Sequence, residues 1–418
     1  MATTVLKGNL VHAPRLGELE ILEQSYLVLE DGIIAGLYPT LPEEYRSARL
    51  IDYGKQILTQ SFADLHVHAP QWVMTGMGMD LPLLDWLKTY VFPTEAKFSD
   101  LGLAREIYGR LARELIANGT TRVAMFSSLH TDATLILMEE LERAGVTGVV
   151  GKVNMDRNGV PALQETTADS MAETLRWLDA CGNFSHIRPI LTPRFTPSCT
   201  DELMTFLGKL AQERHLPVQS HLSESRAEQA WVRELHPDCA RYWETYDKFG
   251  LFSDHGIMAH CVYCDEAERA ALKSHGVWAV HCADSNINLC SGIAPVRELL
   301  DEGVSVALGT DAAGGASVHM FDAVTMAIRG SKLRHLGENS PAFLSVAEGF
   351  YLGTTAGHRY FGGGAGFAVG DPLHAMVIDD AQLPLSDSYS VRERFERCVY
   401  LRQPGAITAV WSEGRCVR

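Results

Sequence analysis

Residues 61–68 read Ser-Phe-Ala-Asp-Leu-His-Val-His, a short apolar run that ends in two histidines separated by one residue. The length and the apolar character favour a buried β-strand. Residues two apart on a strand project to the same face, so His66 and His68 can approach one metal ion together. A single H-x-H pair is weak support for a metal site, because the chain contains 16 histidines. The ends of the other strands therefore decide between a chance pair and a metal site.

Runs of the same kind recur from about residue 60 to residue 360 and alternate with longer helical patterns. The predicted strands are Ser61–His68, Thr121–Leu129, Val146–Asp156, Ile187–Phe195, Leu216–Glu224, Gly256–Tyr263, Val277–Asn286 and Val304–Ala312. Apolar residues three and four apart predict helices between them, at Leu101–Asn118, Ser170–Cys181 and Asp201–Arg214. Eight strands with intervening helices predict an α/β fold of the (β/α)8 TIM-barrel type. A doubly wound sheet is the rival fold, but it does not readily explain polar residues at the C-terminal ends of so many strands.

The two ends of the chain show shorter β patterns. Hairpin features fill residues 1–58, with runs at Val5–Val11, Ser25–Leu29 and Ile33–Leu37 and a turn at Asp31-Gly32. Similar runs near the C-terminus cover Ala375–Ile378 and Ile407–Trp411. We predict that residues 1–58 and 366–418 together form one small β-sandwich, attached to a barrel of residues 59–365.

The composition excludes several classes of partner. The 418 residues carry a net charge of −16 and contain no basic run, which argues against binding to nucleic acid or to an anionic membrane. No apolar stretch reaches the length of about 18 residues that a spanning helix requires, and no signal peptide is apparent at the N-terminus. Nine cysteines without regular spacing fit a reducing compartment better than a disulfide framework. We therefore expect a cytoplasmic protein with a small-molecule substrate.

Three other predicted strands end in residues that bind metals or carry protons. The fifth strand ends with His221 and Glu224, the sixth contains His260, and the eighth reaches Asp311. The C-terminal ends of the strands are where barrel enzymes build their active sites. Side chains of this kind at corresponding positions predict a metal-dependent active site.

This pattern is similar to the signature of deaminases of the amidohydrolase superfamily. That signature comprises H-x-H, a histidine on strand five with a glutamate three residues later, a histidine on strand six and an aspartate on strand eight. Several further segments resemble the guanine deaminases of this superfamily: Asp80–Leu87, Asn118–Thr121, Leu191–Phe195, Gln219–Glu224, and Leu308–Asp311 with Gly314-Gly315. The similarity spans about residues 60–365. Gln60-Ser61 and Ala283–Asn286 depart from the family pattern, at positions that supply no metal ligand.

The resemblance implies a role for each residue at the strand ends. The implied metal ligands are His66, His68, His221 and Asp311. The resemblance places His260 beside the reacting water, makes Asp311 the proton acceptor as well as a ligand, and makes Glu224 the proton shuttle. Strand four ends in Arg194-Phe195 without the lysine that bridges two metals in some relatives, and we interpret Lys152 as structural, so we expect one metal per chain. The mixed nitrogen and oxygen ligands suit Zn²⁺, and the same ligand types accommodate Fe²⁺.

The activity that the resemblance implies is hydrolytic deamination of guanine to xanthine and ammonia by a zinc-activated water, a step of purine catabolism or salvage. Gln71, Arg194 and Phe195 are the implied contacts to the purine, together with His221, Glu224 and Asp311 of the metal site. Because family members are commonly homodimers, we also expect a homodimer.

Two alternatives stay open from the sequence. The first is another reaction of the same superfamily: deamination of 8-oxoguanine, a pterin or a cytosine-like ring, or hydrolysis of an s-triazine. The second is a catalytically inactive scaffold that binds proteins, although such scaffolds typically lose metal ligands and this chain retains all of them. The Cys261–Cys264 pair beside His260 resembles a redox or zinc motif, but no second pair supports it. We interpret both cysteines as part of the barrel wall.

Overall fold

The computed structural model of the protein describes residues 2–337 and 339–418, and its regular elements alternate as the sequence predicts. Over these residues the strands are β1 (Thr3–His12), β2 (Glu20–Glu30), β3 (Ile33–Tyr38), β4 (Arg49–Gln60), β5 (Phe62–His68), β6 (Thr120–Phe126), β7 (Thr147–Gly151), β8 (Val153–Asn154), β9 (Ile187–Pro189), β10 (Thr192–Pro193), β11 (Gln219–Leu222), β12 (Ile257–His260), β13 (Trp278–His281), β14 (Val306–Leu308), β15 (Ala375–Ile378), β16 (Ile407–Ser412) and β17 (Arg415–Cys416). The α-helices are α1 (Leu83–Trp86), α2 (Phe92–Ala96), α3 (Leu101–Ala117), α4 (Thr131–Ala144), α5 (Thr167–Ala180), α6 (Asp201–Arg214), α7 (Arg226–Leu235), α8 (Glu244–Asp247), α9 (Glu266–Ser274), α10 (Ala283–Asn288), α11 (Val296–Asp301), α12 (Met320–Leu336), α13 (Val346–Gly353), α14 (Thr355–Tyr360) and α15 (Val391–Leu401). A π-helical turn, Leu87–Val91, joins α1 to α2.

Strands β5 to β14 form the predicted barrel. One parallel arc has the order β5-β6-β7-β9 and the other has the order β11-β12-β13-β14, with a short parallel β8-β10 pair between them. A bridge between Leu191 and Val218 links the two arcs on one side. On the other side the backbone N–H of Asp311 donates to the carbonyl oxygen of His66 at 2.8 Å, which joins the end of β14 to β5. The (β/α)8 prediction is confirmed.

Two predicted strands are each divided, and the last residues of another form a helix. The third becomes β7 and β8, and the fourth becomes β9 and β10, which end at Pro189 and Pro193. Proline has no N–H to donate to a strand ladder, so the pairing of the fourth strand is interrupted. The predicted strand Val277–Asn286 ends at His281, and its last four residues lie in α10.

The two ends of the chain come together in one β unit, as predicted, and its strands form a single sheet. Its order is β17-β16-β15-β4-β1-β2-β3, so the C-terminal β15 pairs with the N-terminal β4. The turn between β2 and β3 has positive φ at both Asp31 and Gly32, which is the conformation that an Asp-Gly hairpin favours. The sheet has an apolar core of its own, which includes Leu6, Leu27 and Trp411. Hydrogen bonding makes it one continuous seven-stranded sheet, and the predicted boundaries at 58/59 and 365/366 stay predictions.

Gly309 allows β14 to pass close to β5 at the point where the barrel closes. A Cβ atom at this position would lie 2.7 Å from the Cβ of His66 and 2.9 Å from its carbonyl oxygen. Such distances are shorter than van der Waals contact, so any side chain here would push the two strands apart. The glycine therefore sets the spacing between His66 and the residues that follow β14.

None of the helices in the described part of the chain combines the length and the apolar character that crossing a bilayer requires.

Candidate active site

Six predicted residues from four strand ends meet at the C-terminal side of the barrel. They are His66 and His68 of β5, His221 of β11, Glu224 just after β11, His260 of β12, and Asp311 just after β14. All six are buried except His221, which is partly buried. The barrel topology thus brings together residues that lie up to 245 positions apart in the chain.

The imidazole and carboxylate groups converge on one small space. His66 Nε2 and His68 Nε2 lie 3.2 Å and 3.4 Å from Asp311 Oδ1. His68 Nε2 also lies 3.2 Å from His221 Nε2. Ligand atoms of His66, His68 and His221 all fall within 4.8 Å of one another, as do those of His66, His260 and Asp311. Such a convergence is the arrangement that tetrahedral metal sites require.

Several ring nitrogens of these histidines have no hydrogen-bond partner among the residues that the structure describes. Neither ring nitrogen of His66 makes a hydrogen bond of good geometry, although both are buried, and His68 Nδ1 is also unpaired. A buried polar atom without a partner costs about 1–3 kcal/mol. A cation in the cluster would give His66 Nε2 a partner and would neutralise the carboxylate of Asp311, so the residues present fit a divalent metal ion.

The charge states also suit a metal ion. Burial lowers the pKa of His66, and it lowers the pKa values of His68 and His221 well below the ordinary range. These imidazoles are therefore neutral, which is the form that binds metals. Burial alone would raise the pKa of Asp311, but the neighbouring His66, followed by His260 and His68, holds it far below its usual range. The cluster consists of neutral nitrogen donors and one anionic oxygen donor.

Surrounding residues orient the histidines. His221 Nδ1 donates to the carbonyl oxygen of Arg194 at 2.6 Å, which leaves the lone pair of its Nε2 directed at the cluster. His260 Nδ1 lies 2.8 Å from Asn286 Oδ1 and donates to it. Asp64, two residues before His66, accepts the backbone N–H of Thr310 at 3.0 Å and so ties β5 to the loop that carries Asp311.

Glu224 lies beside His260 on the open side of the cluster. Its Oε2 is 3.6 Å from His260 Nε2, and its Oε1 accepts a hydrogen bond from Ser291 Oγ at 2.9 Å. Burial raises the pKa of Glu224, against the opposing effect of His260. Glu228 accepts the backbone N–H of Glu224 at 2.8 Å and fixes the loop. Glu224 therefore holds a proton more readily than an exposed glutamate does.

The backbone is strained where it delivers three of these side chains. Ser223, His260 and Asp311 have φ values of 50°, 74° and 48°. Non-glycine residues adopt this left-handed region at a cost of about 1–3 kcal/mol, and such residues cluster at functional sites. At each of these three residues the backbone turns away from the direction of the preceding strand, immediately beside the cluster.

A cavity opens above the cluster. Its apolar lining residues are Leu83, Trp86, Leu87, Phe195 and Leu289. The polar side chains of Gln71 and Arg194 lie on its wall, and His68, His221, Glu224, His260 and Asp311 also line it. An apolar slot with a few polar groups at one wall fits a flat heteroaromatic ring.

A buried carboxylate beside this cavity was not predicted from the sequence. Glu95 of α2 accepts hydrogen bonds from Arg194 Nη1 at 2.6 Å and from Gln71 Nε2 at 2.8 Å. Asn286 and Asp64 were likewise not singled out. Glu95 does not lie at a strand end, so barrel topology gave no signal for it, whereas Asp64 stands only two residues before the first histidine of the H-x-H pair.

Other residues considered from the sequence lie outside the cluster. Lys152 is fully buried and its Nζ pairs with both carboxylate oxygens of Glu165 at 2.8 Å and 2.9 Å, as expected for a structural lysine. Cys261 and Cys264 are buried free thiols, in agreement with their interpretation as part of the barrel wall.

Comparison with known proteins agrees with this geometry. Residues 57–417 match the amidohydrolase family. The guanine deaminase of Dictyostelium discoideum is 33% identical over 99% of this chain and 98% of its own length, and that of Rattus norvegicus is 36% identical over 90% and 86%. The crystal structure of guanine deaminase from C. acetobutylicum, with guanine bound in the active site, superposes with a TM-score of 0.97 at 40% identity and covers 100% of both chains.

We predict that the purified protein carries about one transition-metal ion per chain, a stoichiometry that rests on the single cluster described above. Replacing His68 by alanine removes one ligand and should reduce the bound metal severely. The exposed His186 offers a matched control, because His186→Ala should leave the metal content unchanged. Elemental analysis of the three proteins provides the measurement. Two metals per chain, or full metal content in the His68 variant, would show the assignment to be wrong.

Proposed function

The chain belongs to the amidohydrolase family, and from that premise we propose that it is a hydrolase that converts guanine and water to xanthine and ammonia. The observation that carries this proposal is that one cavity contains both a cluster of metal-ligand side chains and a pair of polar side chains able to bind a purine. The metal-ligand cluster reaches the cavity surface through His68, His221 and Asp311, and Gln71 and Arg194 stand on the wall beside apolar side chains. The relatives that match over the length of the chain are guanine deaminases.

We propose His66, His68, His221 and Asp311 as the ligands of one divalent metal ion. Three nitrogen donors and one oxygen donor suit Zn²⁺, and Fe²⁺ accepts the same set. When bound, such an ion lowers the pKa of water to about 7 and so supplies a nucleophile at neutral pH. The pairing of Lys152 with Glu165 supports a single metal, because no free lysine amine is left at that position to bridge a second one.

The side chains around the cluster handle the protons. The carboxylate of Asp311 accepts a proton from the attacking water, and its low pKa keeps it ionised and ready to do so. Nε2 of His260 faces both Asp311 Oδ2 at 3.8 Å and Glu224, so it orients the water and stabilises the charge that develops. The water oxygen bonds to C2 of guanine, Glu224 carries one water proton to the exocyclic nitrogen, and the other water proton ends on N3 of the ring. The bond from C2 to that nitrogen then breaks, and ammonia leaves.

The cavity wall selects the substrate. We propose that Arg194 donates hydrogen bonds to the O6 carbonyl and that Gln71 contacts the same edge of the purine. Phe195 packs against the ring, while Trp86 and Leu87 help to exclude water from the reaction. His221, Glu224 and Asp311 contact the reacting end of the purine.

The cellular context is proposed on other grounds. A cytoplasmic location rests on the pattern of cysteines in the sequence, and the nine cysteines are free thiols. Homodimeric assembly rests on the resemblance to the guanine deaminases. A place in purine catabolism follows from the proposed reaction, which removes the amino group of guanine.

We predict that guanine is the preferred substrate of the metal-loaded protein. Ammonia release should be measured with guanine, 8-oxoguanine, a pterin, cytosine and an amino-s-triazine, with xanthine formation followed by its absorbance. Guanine should give the highest kcat/KM, with equal amounts of xanthine and ammonia. A higher kcat/KM for another ring would show that this ring, and not guanine, is the substrate. If no ring released ammonia, the protein would be assigned as a catalytically inactive scaffold.

Replacing Glu224 by glutamine should lower kcat for guanine by about 10²–10⁴-fold, the usual contribution of a positioned acid–base group. Glutamine has the same size but carries no titratable proton, so metal content and thermal unfolding should stay unchanged. Glu234→Gln, an exposed substitution on α7, serves as the control. Loss of the metal in the Glu224 variant, or unaltered turnover, would contradict the proton-shuttle role.

A further inference from the structure

The buried carboxylate of Glu95 joins the two polar side chains of the cavity wall. One oxygen, Oε2, accepts from Arg194 Nη1 at 2.6 Å, and the other, Oε1, accepts from Gln71 Nε2 at 2.8 Å. The three residues come from distant parts of the chain, and their exposed fractions are only 1% for Glu95, 2% for Gln71 and 3% for Arg194. An ion pair this deeply buried is costly unless its geometry is well satisfied. The hydrogen bonds that Glu95 accepts at the cavity wall satisfy both of its carboxylate oxygens.

The direction of these hydrogen bonds determines what the wall offers to a ligand. An ionised carboxylate only accepts hydrogen bonds, so the amide group of Gln71 must turn its NH₂ toward Glu95. The Oε1 atom of Gln71 is then left as an acceptor. Arg194 donates to Glu95 through Nη1. Its Nη2 and Nε remain free as donors, because neither atom bonds to another residue of the described chain. Glu95 thus leaves an acceptor on Gln71 and donors on Arg194.

The helix that carries Glu95 also fixes the orientation of the Arg194 guanidinium plane. Phe92 precedes Glu95 by three residues on α2 and lies on the same side of the helix. Its ring centre is 5.1 Å from the Cζ atom of Arg194, an arrangement typical of a cation–π contact. The guanidinium of Arg194 is therefore fixed by a face contact and by an end-on ion pair from the same short helix.

We propose that Glu95 is a positioning residue that sets substrate specificity by fixing Arg194 as the donor and Gln71 as the acceptor. This inference rests on the proposed function and deepens it. A donor beside an acceptor matches a lactam edge, in which a ring carbonyl adjoins a ring N–H. Guanine presents this edge at C6=O and N1–H, and xanthine presents the same one. A purine without the C6 carbonyl, such as 2-aminopurine, leaves the donors of Arg194 unpaired.

The test replaces Glu95 by glutamine. The new amide has only one acceptor oxygen for the two donors of Arg194 and Gln71, so one of them loses its partner. We expect kcat/KM for guanine to fall on the order of 10²-fold, the effect of misplacing a binding group by about 1 Å, and the affinity for xanthine to fall with it. The kcat/KM for 2-aminopurine should change much less. Glu140→Gln on α4 is the matched control, since Glu140 is also 1% exposed and pairs with Arg105 outside the cavity.

A double-substitution cycle separates positioning from a general loss of stability. Arg194→Met removes the charge that Glu95 neutralises, so the double variant contains no unpaired buried charge. If Glu95 acts through Arg194, adding Glu95→Gln to the Arg194→Met protein should cause little further loss with guanine. Metal content and thermal unfolding are measured for every variant. Additive losses in the cycle would overturn the proposal, and so would an equal fall for guanine and 2-aminopurine.

The same experiment distinguishes failure of the proposal from failure of the proposed function. Wild-type protein that binds xanthine but releases no ammonia from guanine would contradict the function. The effect of Glu95→Gln on the dissociation constant of xanthine would still decide the role of Glu95, and an unchanged constant would overturn it. Wild-type protein that neither binds xanthine nor deaminates guanine would overturn both.

Discussion

The crowding of His66, His68, His221 and Asp311 into one small space is the constraint on which the rest of the structure depends. Nitrogen and oxygen lone pairs 3.2 to 3.4 Å apart repel one another unless a proton or a cation lies between them. Burial lowers the pKa values of the three histidines, so each neutral ring carries one N–H and one lone pair, and a cation can satisfy the lone pairs that face this space. The barrel must hold these groups together against that repulsion, and the tight passage of Gly309 past His66 shows how closely β14 and β5 are fitted to do so.

The two carboxylates at the cluster owe their different roles to their neighbours. Asp311 is surrounded by imidazoles, which hold its pKa far below the usual range despite its burial. Burial is the largest influence on Glu224 and the charge of Asp311 adds to it, so the pKa of Glu224 is raised despite the nearby His260 and Ser291. One carboxylate is kept ionised and the other is able to hold a proton. Pairs of groups whose environments push their pKa values apart are the usual basis of acid–base assignments in enzymes.

The sequence predicted the barrel and the cluster because both follow from periodic patterns. In a (β/α)8 fold all strands end on one face, so a residue such as His260 or Asp311 could be assigned to the site from its place after an apolar run alone. The interruption of the fourth strand at Pro189 was missed because the apolar run continues through it. Glu95 could not have been found in this way, because it lies on a short helix and its importance appears only when Arg194 and Gln71 are seen beside it. Side-chain pairs of this kind depend on tertiary packing, which periodicity does not record.

The most direct test of a single-metal deaminase is a titration of metal-free protein with Zn²⁺ while xanthine formation from guanine is followed. Chelated protein should be inactive, and the rate should rise in proportion to added Zn²⁺ until about one ion per chain is bound, the stoichiometry expected for a site with one set of four ligands. The rate should then stay constant. Guanine turnover in the metal-free protein, or a rate that continues to rise to two ions per chain, would contradict the account.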